Sequence, residues 1–155
     1  MLTRRRGAEV DVHAPTGARG RPVMLATLEV PFDEDASTFA VDAAVEAGQG
    51  LILVNLVEVM PHPGTMLGYG DVDPSPEDAA ALRAPAELAH SLGVRVERLR
   101  VRSPHPVDAL IQLVGERKPG LLVFGPDRTR IRKRLYAKAA KAVRERATCL
   151  VWLAP

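Results

Sequence analysis

The stretch VFGPDRTRIRKRLYAKAAKAV, residues 123–143, holds the residue types best suited to chemistry. An apolar run ends at Gly125 and passes into a helical pattern, which is how strand–loop–helix phosphate sites begin. Such loops need glycine where a phosphate approaches the backbone, and open N–H groups to cradle it. Here the following positions carry Arg128, Arg130, Arg132, Lys133, Arg134, Lys138, Lys141 and Arg144. Arginine forks onto phosphate and lysine meets it as a point charge, so side chains could hold an anion in place of backbone. The plainer reading is a solvated helix face over a buried stripe of Ile131, Leu135, Ala139, Ala142 and Val143. Between these lies a contact with an acidic partner or with a second copy of the chain.

The other reactive residue types form no constellation. His13, His62, His90 and His105 lack metal-ligand spacing, so no metal is expected, and His90 is expected on the outer side of its helix. Cys149 stands in an apolar strand, where a thiol is an inert small hydrophobe unless a cation or helix N-terminus activates it. Ser37, Ser75, Ser91 and Ser103 have no nucleophile-elbow context, and Asp33 and Asp35 read as the acidic start of a helix. No catalytic role is expected. Aromatic residues make up 4% of the chain, which leaves few platforms for stacking single-stranded nucleic acid; Tyr136 alone is not one.

Composition bounds the class. A chain of 155 residues with 46% hydrophobic and 26% charged residues is one domain with a core built from Val, Leu and Ala. A single cysteine excludes a disulfide framework and fits a reducing cytoplasm. No apolar run approaches the roughly 20 residues of a membrane span, and MLTRRRG lacks the apolar stretch of a secretory signal. The net charge of +2 conceals segregation. Residues 1–21 carry five Arg against two acids, 22–124 seven bases against fifteen acids, and 125–146 nine bases against two acids. That asymmetry concerns partners and assembly rather than fold.

The elements that position these residues follow from periodicity. Residues 1–21 show none and are expected to be a loose basic extension ahead of a domain spanning 22–155. RPVMLATLEV (21–30) and GLILVNLVEV (50–59) are continuous apolar runs, as in strands buried on both faces. Between them DEDASTFAVDAAVEAG predicts a helix closing at Gly48. Residues 60–76 are a long loop rich in Pro and Gly, expected to act as a lid. A second helix is expected from Ser75 as cap to Gly93, kinked near Pro85. VRVERLRV (94–101) alternates apolar and charged residues and predicts an edge strand. SPHPVDALIQLVGERKPG predicts a capped helix with Val107, Leu110, Ile111 and Val114 inward, followed by strand LLVFG (121–125), a helix over 131–146 and strand TCLVWLAP (148–155). Alternating strands and helices imply a single-domain α/β fold, a five-stranded, mostly parallel sheet with helices on both faces. Ligands of such sheets sit beyond the strands' carboxyl ends, hence after Leu28, Val57 or Phe124.

DALIQLVGERKPGLLVFG, a basic loop, a helix ending in AVRERA and then TCLVWL together resemble the C-terminal half of the universal stress protein family. That family has a helix, a DLIVMG-like strand, a phosphate loop and a PCPVLVV-like terminal strand in the same order. VMLATLEV is similar to its opening ILVAVDGS, so the resemblance runs from about residue 22 to the end and implies an open, adenine-nucleotide-hydrolase-like fold. The nucleotide-binding branch carries G-x-x-G, nine residues, then G followed by Ser or Thr. On that pattern Gly125 keeps the first position, while Arg128, Lys138 and Ala139 replace the rest; a one-residue shift to Ala137 and Lys138 does not restore it. Pro126 removes one donor. The family's aspartate at the end of strand one falls on Leu28, beside Glu29.

The resemblance therefore implies a vestigial nucleotide site at Leu28, Glu29, Val57, Gly125, Arg128, Lys138 and Ala139, in a non-catalytic stress-response or regulatory domain with no cofactor. One alternative is ATP or AMP held by the cationic loop; another is a basic adaptor meeting nucleic acid or an acidic protein through residues 128–146. Nothing in the sequence covers the outer edge of the apolar terminal strand, which predicts a homodimer pairing through Cys149, Leu150, Val151, Trp152 and Leu153. Family dimers of this kind imply the same contact.

Overall fold

The structure, a computed structural model, describes residues 20–60 and 80–155. Five strands are present there: β1 (Val23–Leu28), β2 (Leu51–Glu58), β3 (Val96–Ser103), β4 (Leu121–Phe124) and β5 (Leu150–Leu153). They form one sheet in the order β3-β2-β1-β4-β5, with every neighbouring pair parallel. Four helices with both ends among the described residues connect them: α1 (Glu34–Ala47), α2 (Arg83–Ser91), α3 (Pro106–Arg117) and α4 (Lys133–Arg146). The extension and the long loop expected before and within the domain lie outside the described residues, apart from their last and first positions.

Both faces of the sheet are covered, which explains why β1 is buried at all six positions and reads as one apolar run. On one side Met24, Ala26, Leu28, Val54, Leu56 and Phe124 meet Leu110 and Val114 of α3 and Tyr136 and Val143 of α4. On the other, Val23, Leu25, Leu51, Leu53 and Val123 meet α1 and α2 through Ala36, Ala40, Ala44, Ala86 and Ala89. Alanine at four-residue intervals brings α1 close to the sheet, a proximity that matters at the loop after β4. No helix among the described residues is long and apolar enough to cross a membrane.

Of the helix expected from Ser75 to Gly93, residues 75–79 lie outside the described residues; Ala80 and Ala81 are helical, a turn at Leu82 interrupts the helix, and α2 resumes at Arg83 with Pro85 in its first turn, where a missing N–H has no intrahelical partner to lose. Two local expectations are corrected. α3 has Pro106 at its start and no side-chain cap: Ser103 Oγ accepts from His105 N (3.0 Å) ahead of the helix, and Lys118, not a glycine, ends it in the left-handed region (φ 50°). In α4 the inward residues are Tyr136, Ala139, Ala140 and Val143, while Leu135 is exposed. The helix turns its tyrosine inward because the hydroxyl has a partner at the end of the sheet. β3 is an edge strand, as its alternation implied.

Candidate functional site

Strand order reverses between β1 and β4, which puts the crevice where such sheets hold ligands beyond the carboxyl ends of these two strands. Two short segments meet there, residues 29–33 after β1 and residues 125–132 after β4. Thr27, fully buried, turns the first one by donating its Oγ1 hydrogen to Val30 O (2.7 Å). Asp33 then caps α1, its carboxylate accepting from Ala36 N (2.9 Å); such a cap contributes about 1 kcal/mol.

The two segments are stitched together through backbone. Asp33 N donates to Gly125 O (2.8 Å), Asp127 N donates to Pro31 O (2.9 Å), and Phe32 and Pro126 form an antiparallel bridge. Gly125 N donates to Ala26 O (2.9 Å), extending the β1–β4 ladder by one step. A Cβ on Gly125 would lie 2.3 Å from the Cβ of Ala36, so this glycine is required by the first turn of α1 packed against it. Asp127 organises the turn that leads into α4: Oδ1 accepts from Thr129 N (3.0 Å) and Thr129 Oγ1 (2.7 Å), and its carbonyl accepts from Arg130 N (3.0 Å) and Ile131 N (3.1 Å). The bonds from Thr129 hold the Asp127 carboxyl below the usual carboxylate range.

Arg128 folds back over the domain. Its guanidinium lies 3.7 Å above the centroid of the Tyr136 ring and donates to Ala154 O (3.3 Å), the same carbonyl that accepts from Tyr136 Oη (2.7 Å). Tyr136 also stacks on Phe124 (centroids 5.9 Å apart). Burial raises the Tyr136 phenol above its ordinary value, against the opposing pull of Arg128. The loop, helix α4 and the residue just beyond β5 thus meet at one carbonyl.

The residues singled out from sequence are only partly brought together. Leu28 is buried among core side chains. Glu29 is exposed with φ 62°, donates its N–H to Leu56 O (2.9 Å) and accepts at Oε2 from Glu58 N (3.4 Å), so it leans toward β2 and away from β4. Val57 is half-buried near the end of β2. Gly125 and Arg128 belong to the loop after β4, whereas Lys138 and Ala139 lie inside α4, one exposed and the other buried. Because α4 begins at Lys133, nothing of a loop remains at those two positions. The residues that shape the crevice but were not singled out are Ala36, Pro31, Phe32 and Asp127. For Asp127 a signal existed, since Pro-Asp followed two residues later by Thr is turn chemistry.

Beyond the crevice, Cys149 is half-buried and burial pushes its thiol up, as for an inert thiol. Leu150 is 68% exposed, Val151 and Leu153 are half-buried, and Trp152 stacks on Phe39 of α1 (centroids 4.7 Å). His90 is exposed on α2, as expected. No group of three or more His, Cys, Asp or Glu that could hold a metal occurs among the described residues.

Several solved structures share this fold. A universal stress protein in complex with cAMP is 24% identical, covers 86% of this chain and 95% of its own, and superposes with TM-score 0.58. The universal stress protein from Archaeoglobus fulgidus in complex with dAMP is 19% identical, with coverages of 86% and 96% and TM-score 0.61. UspA from Lactobacillus plantarum is 15% identical, with coverages of 89% and 99% and TM-score 0.63. No curated protein sequence matches the chain. The profile of the universal stress protein family matches residues 20–155, from the start of the described domain to its end. This chain belongs to the universal stress protein family.

Proposed function

We propose that this protein is a non-catalytic, regulatory universal stress protein that does not hold ATP in the glycine-loop manner and works through protein contacts. One observation carries the reading: most backbone donors of the loop after β4 are engaged within the chain. Gly125, Asp127, Thr129, Arg130 and Ile131 all donate to protein acceptors, and Pro126 has no N–H to offer. A phosphate cradle needs such donors open. The equilibrium binding of ATP, AMP and cyclic AMP, each at low and high salt, tests it. Binding no tighter than high micromolar is expected for all three; low-micromolar binding of any of them would overturn the proposal.

A second reading is favoured by two facts, the cAMP and dAMP in the solved relatives and the cations Arg130, Arg132, Lys133 and Arg134 around the start of α4. These side chains would hold a nucleotide's phosphates by charge. Low-micromolar binding that discriminates adenine from guanine nucleotides and weakens at high salt would favour it.

The contact surface we assign first is the edge strand β5, as a homodimer through Cys149, Leu150, Val151, Trp152 and Leu153. The two edges of the sheet support this choice. β3 carries Glu97, Arg98, Arg100 and Arg102, charges that blunt an edge, while β5 is apolar with Leu150 exposed. Val151→Pro, which removes a ladder donor, is expected to give monomers by sedimentation. A wild-type chain that is monomeric at tens of micromolar would refute the dimer.

A further inference from the structure

Charge is segregated across the sheet as well as along the chain. α1 presents Glu34, Asp35, Asp42 and Glu46 to solvent, and α4 presents Lys133, Arg134, Lys138, Lys141 and Arg144. The first helix packs on one face of the sheet and the second on the opposite face. Neither group is neutralised at home. Among the described residues Arg146 of α4 pairs with Asp108 of α3, yet none of the nine side chains just named has an ion-pair or hydrogen-bond partner. These two helices therefore make one face of the molecule acidic and the other basic, with little net charge.

The placement of the cations is costly to α4 itself. Arg132 occupies its N-cap without a capping bond, Lys133 and Arg134 fill the first turn, and no acid is present there. Cations at a helix N-terminus oppose the macrodipole by about 0.3–1 kcal/mol each. α1 shows the opposite arrangement, with Asp33 as cap and Glu34 and Asp35 in the first turn.

The two surfaces also match in length and spacing. Both helices have 14 residues, about 21 Å of axis. Asp35 and Asp42 are separated by seven residues, as are Arg134 and Lys141, and a seven-residue interval returns to the same side of a helix. An antiparallel approach sets Asp35 against Lys141 and Asp42 against Arg134, and brings Glu46 toward Arg130. It also places the N-terminal end of each helix beside the C-terminal end of the other, which the macrodipoles favour.

We infer that the basic face of α4 docks on the acidic face of α1 of a second copy of this chain, in a salt-sensitive, head-to-tail association. Because the two faces differ, the contact is heterologous, and the copies at the two ends keep one unfilled face of each sign for the next. The same docking serves whether the repeating unit is a monomer or a dimer built on β5, and it does not depend on nucleotide binding. Exposed ion pairs contribute only about 0.2–1 kcal/mol each, so the contact is weak alone and grows by repetition.

Sedimentation velocity of the full chain from about 0.05 M to about 0.5 M NaCl tests this, since screening shortens the reach of exposed charges over that range. Two charge-reversed variants accompany the wild type: Arg134→Glu with Lys141→Glu, and Asp35→Lys with Asp42→Lys, each checked for native circular dichroism and melting. We expect wild-type association beyond the base unit at low salt, weakened roughly tenfold or more at high salt. Each variant alone should lose it, and the equimolar mixture of the two should regain it. A wild type indifferent to salt, or a mixture that stays unassociated although both variants fold, overturns the inference. So does a basic-face variant that loses binding to a short DNA duplex while the acidic-face variant self-associates like wild type; the partner of α4 is then nucleic acid.

Discussion

α1 and α4 are both 14 residues long, and each follows one of the two strands that flank the switch point, yet they are held in different ways. α1 is secured at its ends: Asp33 caps it, acids fill its first turn, and Gly48 closes it in the left-handed region (φ 65°). α4 has neither device. Arg132 does not cap it, its first turn is cationic, and Ala147 leaves it in an extended conformation. The residues beneath α4 hold it instead, Tyr136, Ala139, Ala140 and Val143, with the Tyr136 hydroxyl and Arg128 guanidinium gathered on Ala154 O. One helix is thus anchored by local sequence and the other by tertiary contact, which leaves the exposed start of α4 for something other than helix stability.

Four substitutions probe this contrast. The largest effect is expected at the joint between the two regions: Gly125→Ala drives a methyl group into Ala36, so urea denaturation should show a loss of about 2 kcal/mol. Adding Ala36→Gly should recover part of it; no recovery would mean that the contact is not what requires the glycine.

Tyr136→Phe removes the donor that ties α4 to the end of the sheet and leaves a buried carbonyl to Arg128 alone, for an expected loss of about 1.5 kcal/mol. A neutral result would show that α4 does not rely on this tether. Asp33→Ala deletes the α1 cap, and thermal melts should place its cost at about 1 kcal/mol. Equal insensitivity of both helices to their caps would erase the distinction drawn above.

The smallest effect has the opposite sign. Arg132→Asp supplies α4 with the cap and the charge it lacks, and should stabilise the protein by about 0.5 kcal/mol. Destabilisation instead would show that Arg132 serves the fold after all.

Much of the architecture is legible in the sequence because its signals are local. The continuous apolar runs at 21–30 and 50–59 form strands buried on both faces, Gly48 ends its helix, and the alternation near residues 94–101 marks an edge. Periodicity misleads at the inward face of α4: it admits Leu135 or Tyr136, and the choice is made by a carbonyl eighteen residues along the chain, at Ala154. Gly125 stands out in the sequence, but sequence does not distinguish a glycine kept for phosphate from one kept for Ala36.

Periodicity and composition alone fix the alternation of strands and helices, the parallel sheet it entails and the segregation of charge along the chain, because these properties are additive over neighbouring residues. Long-range packing is needed for the rest: that the loops after β1 and β4 bond to each other, that Lys138 and Ala139 lie within a helix, and that acidic and basic helices stand on opposite faces. Each of these depends on which distant residues the sheet order makes neighbours, and pairing across such distances leaves no local mark on the residues it joins.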